Sequence, residues 1–486
     1  MVRIASVLRA LSIVIVLFAA TMIVPLIVAV VLDDGAALAY DEGILITFGA
    51  GAALWFATRK QERKELQPRD GFLLVSLVWT TLPAFATLPL IFHIGDLSFT
   101  DAYFETVSGL TTTGATVLSG LDKLPASINL WRALLVWIGG MGIIVLAVAI
   151  LPLLGVGGSQ AFKAETPGPM KDTKLTPRIT QTAKGLWLVY GLVTVACVVS
   201  FQLAGMTWLD AVIHAFSTMG LGGFSSHDDS FGFFNSPAIE AVAIGFMLIA
   251  GISFATHFVV LRGRTIRPYR QDPEIMMYLA VVVLSVLGIA AFLYGNAVYD
   301  EPLTALRYAA FNVVSIATTT GFANTDYNLW PIFAPVWMLF LCCFATCSGS
   351  TGGGIKMVRA LLMYRQALRE MRRIIHPRAN LPVKLGGQIV ENNIIFAVLA
   401  FMLVYGATLV IGTMLLLLTG ADVVTAFSAI VACLNNTGPG LGQVGPATTY
   451  AALGDFQTWV CTAAMLLGRL ELFSLIVVFT PHFWRQ

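Results

Sequence analysis

Four short segments rich in glycine, threonine and serine carry residue types that could bind a cation through neutral oxygen atoms. Each follows an apolar stretch and contains no charged residue; the segments are 108–116, 217–225, 315–323 and 432–440. An anion site would require arginine, lysine or helix N-termini, and a divalent-cation site would require a ring of carboxylates. The composition therefore favours a weakly held monovalent cation, of which potassium is the common ion that is easiest to dehydrate.

Three consecutive residues in each of these glycine segments are the candidate potassium ligands. They are Thr112, Thr113 and Gly114; Leu221, Gly222 and Gly223; Thr319, Thr320 and Gly321; and Asn436, Thr437 and Gly438. The glycines can adopt a positive φ, which would turn carbonyl oxygens toward a shared centre. One such segment alone would be an ordinary contact between small residues. Four in register predict a four-sided ion filter.

A second unusual group interrupts an apolar stretch further along the chain. It is the loop Ser348, Gly349, Ser350, Thr351, Gly352, Gly353 and Gly354. Since glycine costs about 1 kcal/mol relative to alanine inside a helix, three in succession predict an unwound loop within the membrane, below the filter. The alternative is a continuous helix with a loose cytoplasmic tail. Lys356 and Arg359 are interpreted as marking the cytoplasmic end of this span.

Arg469 lies near the middle of the apolar stretch 456–479. An arginine at this depth costs about 2.5 kcal/mol or more unless it has a partner. We therefore expect it to face the protein interior and to donate hydrogen bonds to free carbonyls of the loop 348–354. Glu471 is a weaker candidate partner, because side chains two residues apart point to different faces of a helix.

The composition places both groups in an integral membrane protein. Of the 486 residues, 57% are apolar and only 12% are charged, and the mean hydropathy is +0.81; a soluble protein would carry about twice that charge. The apolar runs predict an all-α membrane fold with ten spans, beginning with two N-terminal spans at residues 1–64. Four pseudo-symmetric repeats follow at 65–160, 161–270, 271–375 and 376–486.

Each repeat is predicted to contain a long span, a half-helix too short to cross the membrane, a glycine segment and a second long span. The half-helices are expected at 100–110, 209–218, 302–317 and 423–434. The second spans are expected at 131–154, 239–261, 335–361 and 456–479. A repeat of about a hundred residues is too long for a solenoid and suits a duplicated membrane hairpin.

The positions of the basic residues predict the orientation. Most lie in loops that the span pattern places on one side, at 59–69, 163–184, 262–270 and 356–384; the other side holds only Lys123, Arg132 and Arg307 of the 29. By the positive-inside rule these loops and both termini are cytoplasmic, and the glycine segments face outward.

These motifs resemble those of the Trk-type potassium uptake subunits, in the superfamily that includes the Trk, Ktr and plant HKT transporters. The resemblance covers nearly the whole chain and is most specific at 111–116, 217–225, 318–322, 347–356 and 435–438. It implies filter glycines at 114, 223, 321 and 438, and a gate at 348–354 with an arginine at 469 against it. In relatives that carry sodium, serine often replaces the first glycine. The four glycines here favour potassium, with moderate selectivity over sodium.

The resemblance also implies the setting of the protein. It implies a homodimer in the bacterial inner membrane, docked on a cytoplasmic nucleotide-binding Trk regulatory subunit. The chain itself is expected to contact membrane lipid and no nucleic acid. It is also expected to bind no nucleotide. Residues 440–445 match the G-x-G-x-x-G dinucleotide fingerprint, but the βαβ unit that this fingerprint requires is not predicted around them. Residues 349–356 resemble a phosphate loop, but the lysine is displaced and no serine or threonine follows it.

Two other functions are alternatives. Within transport, a symporter could couple potassium to protons or sodium. An intramembrane enzyme is the alternative from another class, and it needs a nucleophile with a base or paired carboxylates at membrane depth. The spans contain almost no aspartate, no serine–histidine pair at helical spacing and no metal-ligand cluster. We therefore expect a transport protein and not an enzyme.

Overall fold

The computed structural model describes residues 4–60, 67–145 and 179–485. Within these ranges the chain is almost entirely helical, with one two-stranded antiparallel ladder between β1 (Lys384–Leu385) and β2 (Gln388–Ile389). The predicted all-α fold class is therefore confirmed. The repeat boundaries predicted at 64/65 and 160/161 lie outside the described residues.

The helices can be grouped by the predicted units. The N-terminal unit contains α1 (Ile4–Thr21), α2 (Ile23–Leu32) and α3 (Ala37–Thr58). Repeat 1 contains α4 (Pro68–His93), α5 (Phe99–Leu110) and α6 (Ala126–Val145). Repeat 2 contains α7 (Ile179–Leu203), α8 (Trp208–Gly220), α9 (Pro237–Ala250), α10 (Phe254–Gly263) and the short α11 (Arg267–Gln271).

The last two repeats continue this pattern. Repeat 3 contains α12 (Pro273–Gly295), α13 (Pro302–Ala317), α14 (Phe333–Phe344) and α15 (Met357–Ile375). Repeat 4 contains α16 (Asn392–Leu418), α17 (Val423–Leu434), α18 (Asp455–Arg469) and the single turns α19 (Phe473–Ile476) and α20 (Pro481–Trp484).

Several helices are long and apolar enough to cross a membrane. In the described ranges there are six such stretches, at 4–32, 37–58, 69–93, 183–203, 273–295 and 392–418. The bent pairs α9–α10 and α18–α19 raise the number to eight. Large apolar side chains such as Val31, Leu403 and Leu418 are exposed on these helices, as expected for a lipid-facing surface. The prediction of ten spans stays a prediction.

The four half-helices α5, α8, α13 and α17 begin and end within two residues of the predicted positions. Three have a side-chain N-cap: Ser98 Oγ and Thr207 Oγ1 each accept an amide hydrogen bond at 3.1 Å, and Asp422 Oδ1 accepts one at 3.0 Å. The fourth begins with Pro302, whose fixed φ suits the first helical position. Each half-helix ends one or two positions before the first candidate ligand of its glycine segment.

The second spans of repeats 2, 3 and 4 are all broken, although the sequence predicted a break only in repeat 3. The axes of α9 and α10 differ by 93°, and those of α18 and α19 by 106°. The predictions of continuous spans at 239–261 and 456–479 are therefore wrong. In repeat 4 the break follows from positive φ values at Glu471 and Leu472, which a helix cannot contain. Arg469 is consequently the last residue of α18 and does not lie in mid-helix.

Candidate ion site

The four glycine segments meet and form a closed ring. A Cβ added at any of the four glycines would lie within 2.7 Å of the backbone of the next segment: Gly114 against Gly223, Gly223 against Gly321, Gly321 against Thr437, and Gly438 against Thr113. Real Cβ atoms do not approach backbone atoms so closely, and only glycine fits. Each repeat therefore touches the next in chain order, and the fourth touches the first.

The backbone of the ring has the same unusual conformation in each repeat. The residue two positions before the glycine has a φ between 53° and 60° in all four segments: Thr112, Leu221, Thr319 and Asn436. This left-handed conformation costs a non-glycine residue about 1 kcal/mol or more. The sequence pattern predicts a positive φ only at the glycines, of which Gly114, Gly321 and Gly438 adopt it, at 80° to 100°. Repeated backbone strain of this kind is concentrated at functional sites.

The carbonyl oxygens next to the ring glycines are suited to act as cation ligands. Those of Thr113, Thr320 and Thr437 accept no hydrogen bond from any residue that the structure describes, whereas that of Gly222 accepts one from the amide of Phe224 at 2.9 Å. Buried carbonyls almost always have a polar partner. Carbonyl oxygens that are free of protein donors can replace the hydration shell of a monovalent cation.

Side-chain hydrogen bonds distinguish the repeats. The hydroxyls of Thr111 and Thr113 lie 2.7 Å apart, and those of Thr318 and Thr320 lie at the same distance. Asn436 Nδ2 donates to Thr113 Oγ1 at 3.0 Å and so links the fourth segment to the first. Repeats 1 and 3 therefore fix their segments with hydroxyl pairs, and repeat 4 uses an amide.

A buried ion pair is hydrogen-bonded to the glycine segments of repeats 1 and 2. Arg132 Nε donates to Glu105 Oε1 at 2.8 Å, and Arg132 Nη1 donates to the carbonyl of Ser225 at 3.1 Å. The same carboxylate accepts from Thr116 Oγ1 at 2.9 Å. The sequence analysis placed Arg132 on the external side without a role. The only available signal was that Glu105 is a carboxylate in the middle of a half-helix, whereas Asp101 lies in its first turn.

The loop 348–354 packs against the ring. It belongs to neither flanking helix, because α14 ends at Phe344 and α15 begins at Met357; the alternative of a continuous helix with a loose tail is excluded. Gly353 N donates to Thr319 Oγ1, and Thr351 Oγ1 donates to the carbonyl of Met219, both at 2.9 Å. The loop therefore contacts the glycine segments of repeats 2 and 3, at Met219 and Thr319.

Arg469 connects the loop to repeat 1. Its Nη1 donates to the Thr351 carbonyl at 2.9 Å, its Nη2 donates to the Gly139 carbonyl of α6 at 3.0 Å, and the side chain is 3% exposed. Glu471 does not pair with it. That carboxylate accepts from Arg359 Nη2 at 2.6 Å.

The two basic residues interpreted as marking the cytoplasmic end contact this region instead. Both Lys356 and Arg359 are buried, and the Lys356 ammonium donates to the carbonyl of Gly352. The structure therefore corrects their assignment as simple end markers. Their proximity in sequence to the glycine run was the signal that could have revealed this.

Comparisons with known proteins agree over nearly the full length. A family model described as "TrkH: Cation transport protein" matches residues 36–486. The Trk system potassium uptake protein TrkH of Salmonella typhimurium is 46% identical over 479 residues, which cover 98% of this chain and 99% of that protein. The Trk system potassium uptake protein TrkG of Escherichia coli is 37% identical over 471 residues, which cover 97% and 96%.

The fold matches a solved structure equally well. The crystal structure of the potassium transporter TrkH from Vibrio parahaemolyticus is similar with a TM-score of 0.90 and 43% identity, covering 99% of this chain and 100% of that chain. These matches confirm the resemblance read from the glycine segments, and they identify a transport protein and not an enzyme. The chain belongs to the TrkH family of cation transport proteins.

Proposed function

We propose that this protein is a potassium uptake subunit in which the ring of glycine segments is the selectivity filter and the loop 348–354 is the gate. The transported substrate is the potassium ion, the substrate that the names of the TrkH and TrkG relatives state for those proteins. The observation that carries the proposal is the closed contact of the four glycines, one from each repeat, with carbonyl oxygens beside three of them that accept no hydrogen bond from the described residues.

The chemistry of the ring supports a monovalent cation. Its twelve candidate ligands, Thr112–Gly114, Leu221–Gly223, Thr319–Gly321 and Asn436–Gly438, include no charged residue. Neutral carbonyls hold a singly charged ion weakly enough to release it, which conduction requires. Each repeat contributes only one short segment, so we infer moderate selectivity for potassium over sodium.

The contacts of the loop support its role as a gate. It is held by Arg469 and lies against the glycine segments from the inner side, where it would block an ion that has passed the ring. Its glycines leave it free to move once these few hydrogen bonds break. No observation on the described residues favours the coupled symporter, and we propose channel-like conduction.

The setting of the protein is also inferred. We place it in the bacterial inner membrane with both termini cytoplasmic, as a homodimer that docks on a cytoplasmic nucleotide-binding Trk regulatory subunit. The words "Trk system" in the names of the relatives support a multi-component assembly. On this proposal the nucleotide binds the regulatory subunit and not this chain.

Replacing Gly114 with serine tests the filter. The new Cβ would collide with the backbone of Gly223, so we expect the ring to distort and the ratio of potassium to sodium permeation to fall. Rubidium uptake and reversal potentials in proteoliposomes, with potassium, sodium and proton gradients imposed separately, measure this ratio and any coupling.

Gly120→Ser provides the matched control. Gly120 belongs to the same repeat and also has a positive φ, but a Cβ there meets no atom within 4 Å. Wild-type ion ratios are expected for this control. Identical ion ratios in Gly114→Ser would contradict our placement of the filter.

A further inference from the structure

Glu274 is a buried carboxylate that lies at the start of α12, at the predicted cytoplasmic end of repeat 3. It is 3% exposed. Its Oε1 accepts a hydrogen bond from the backbone amide of Ser348 at 2.7 Å and a second from the amide of Val358 at 3.2 Å. These two amides flank the loop, one at its first residue and one just beyond its end. A single carboxylate oxygen therefore joins the two ends of the loop.

The positions of the two amides explain why a carboxylate is needed. The first amides of a helix have no acceptor within that helix, and Val358 is the second residue of α15. Lys356, the N-cap residue of α15, provides no side-chain acceptor for them. Glu274 therefore caps α15 from a different helix while it binds the start of the loop.

Glu274 is itself held in place by the local structure. Its amide donates to Asp272 Oδ1, the N-cap of α12, at 2.9 Å, and Pro273 fixes the first helical position. The start of the loop has a second fixed support in repeat 2. There the Cys347 amide donates to the Gly251 carbonyl at 3.0 Å, within the break between α9 and α10. The ends of the loop are therefore attached to rigid elements, and Arg469 holds its middle.

We infer that Glu274 is a positioning residue that keeps the loop closed by joining its two ends. The inference rests on the proposed function of the loop as the gate. Glu274 does not contact the ring of glycine segments in the described structure, so its loss should change the amount of flux and leave selectivity unaltered. It adds a second restraint on the loop, independent of Arg469, because the two residues bind different atoms from different helices.

Substitution by alanine and by glutamine tests this role. Glu274→Ala removes the oxygen that accepts both hydrogen bonds, and we expect a several-fold rise in rubidium flux through proteoliposomes without a regulatory subunit, at an unchanged ratio of potassium to sodium. Glu274→Gln keeps a carbonyl oxygen that can accept the same hydrogen bonds, so its flux should lie between those of wild type and Glu274→Ala. Hydrogen–deuterium exchange of residues 347–358 should accelerate in the same order.

Glu240→Ala is the matched control for general destabilisation. Glu240 is also 3% exposed and also lies in the first turn of a helix, α9, but it pairs with Arg307 at 2.7 Å and does not contact the loop. We expect it to lower the melting temperature without raising flux. An equal rise in flux for Glu240→Ala would overturn the inference.

A comparison with Arg469→Ala separates the inference from the proposed function. If Arg469→Ala raises flux and neither Glu274 variant changes flux or exchange, the gate stands and the role of Glu274 is wrong. If neither Arg469→Ala nor Glu274→Ala changes flux, the loop is not the gate. If Glu274→Ala does not fold, the test depends on Glu274→Gln alone. Wild-type rubidium flux together with wild-type hydrogen–deuterium exchange in Glu274→Gln would then contradict the inference.

Discussion

The ring of glycine segments and the loop 348–354 are both rich in glycine, serine and threonine, but the ring is repeated four times and the loop occurs once in the described structure. The ring is built four times, with the same left-handed φ of 53° to 60° in each repeat. The loop occurs only in repeat 3 of the described structure, and its hydrogen bonds to repeats 2 and 4 involve residues of different kinds, Met219 and Arg469. An ion must be surrounded by ligands, whereas one loop is enough to block its path. The ring should therefore control which ion passes, and the loop should control how much.

The largest effect is expected from Gly321→Ala in the ring. The φ of Gly321 is 89°, and an added Cβ would collide with the Thr437 carbonyl. We expect rubidium uptake into cells that lack other potassium uptake systems to fall at least tenfold. Gly288→Ala, on α12 of the same repeat, meets no atom within 4 Å and should retain uptake. Normal rubidium uptake by Gly321→Ala at equal expression would show that ions do not pass through the ring.

Arg469→Ala should also have a large effect, but it should raise ion flux where Gly321→Ala lowers uptake. This change removes two hydrogen bonds from a charged donor, each worth about 1.5–3 kcal/mol. We expect a several-fold increase in rubidium flux without a regulatory subunit, and an unchanged ratio of potassium to sodium. The comparison between ring and loop fails if the ratio changes, or if a correctly folded variant shows wild-type flux in proteoliposomes.

A smaller effect distinguishes repeats 1 and 3 within the ring. The Thr113 hydroxyl is hydrogen-bonded to both Thr111 and Asn436, whereas the Thr320 hydroxyl is bonded only to Thr318. Each such bond contributes about 1 kcal/mol. Thr113→Val should therefore reduce selectivity for potassium more than Thr320→Val does, as measured by reversal potentials. Equal shifts would show that the link from repeat 4 to repeat 1 contributes nothing.

The smallest effect concerns stability on the predicted external side, away from the loop. His227 Nδ1 is hydrogen-bonded to Asp122 of repeat 1, and Nε2 lies 3.4 Å from Asp210 Oδ1. Burial alone would lower the pKa of His227, but the neighbouring carboxylates of Asp210 and Asp122 outweigh it and raise this pKa above 6.5. The ion pairs therefore stabilise the fold fully below about pH 6.5, and this contribution is lost as the pH rises through the raised pKa.

The variant His227→Asn tests this pH dependence. The ion pairs are partly exposed, so they should contribute about 1 kcal/mol or less. We expect His227→Asn to melt below wild type at pH 6 and to approach wild type at pH 9, with no change in flux without a regulatory subunit. A difference in melting temperature that does not vary with pH would contradict the conclusion that His227 is positively charged at pH 6.

Local features of the sequence were enough to predict the half-helices and the position of the ring. The half-helix α17, for example, begins after the capping Asp422 and ends where the apolar stretch gives way to Asn435, so residues close in sequence define it. The breaks after Ala250 and Arg469 were missed because each depends on packing against another repeat. Glu274 follows a proline and looks like an ordinary helix start in the sequence. Its role depends on amides more than seventy residues away, which no local pattern reveals.

The closed contact of the four glycines has a consequence for how this protein tolerates mutation. Since each glycine leaves room for the backbone of the next repeat, a side chain introduced at one of them displaces the neighbouring segment as well. Two substitutions in adjacent repeats should therefore be strongly non-additive, whereas Leu221 and Asn436 show that the residue two positions earlier can differ without altering φ. The effects of substitutions at the four glycines should therefore depend on one another, although these glycines are spread over more than three hundred residues of sequence.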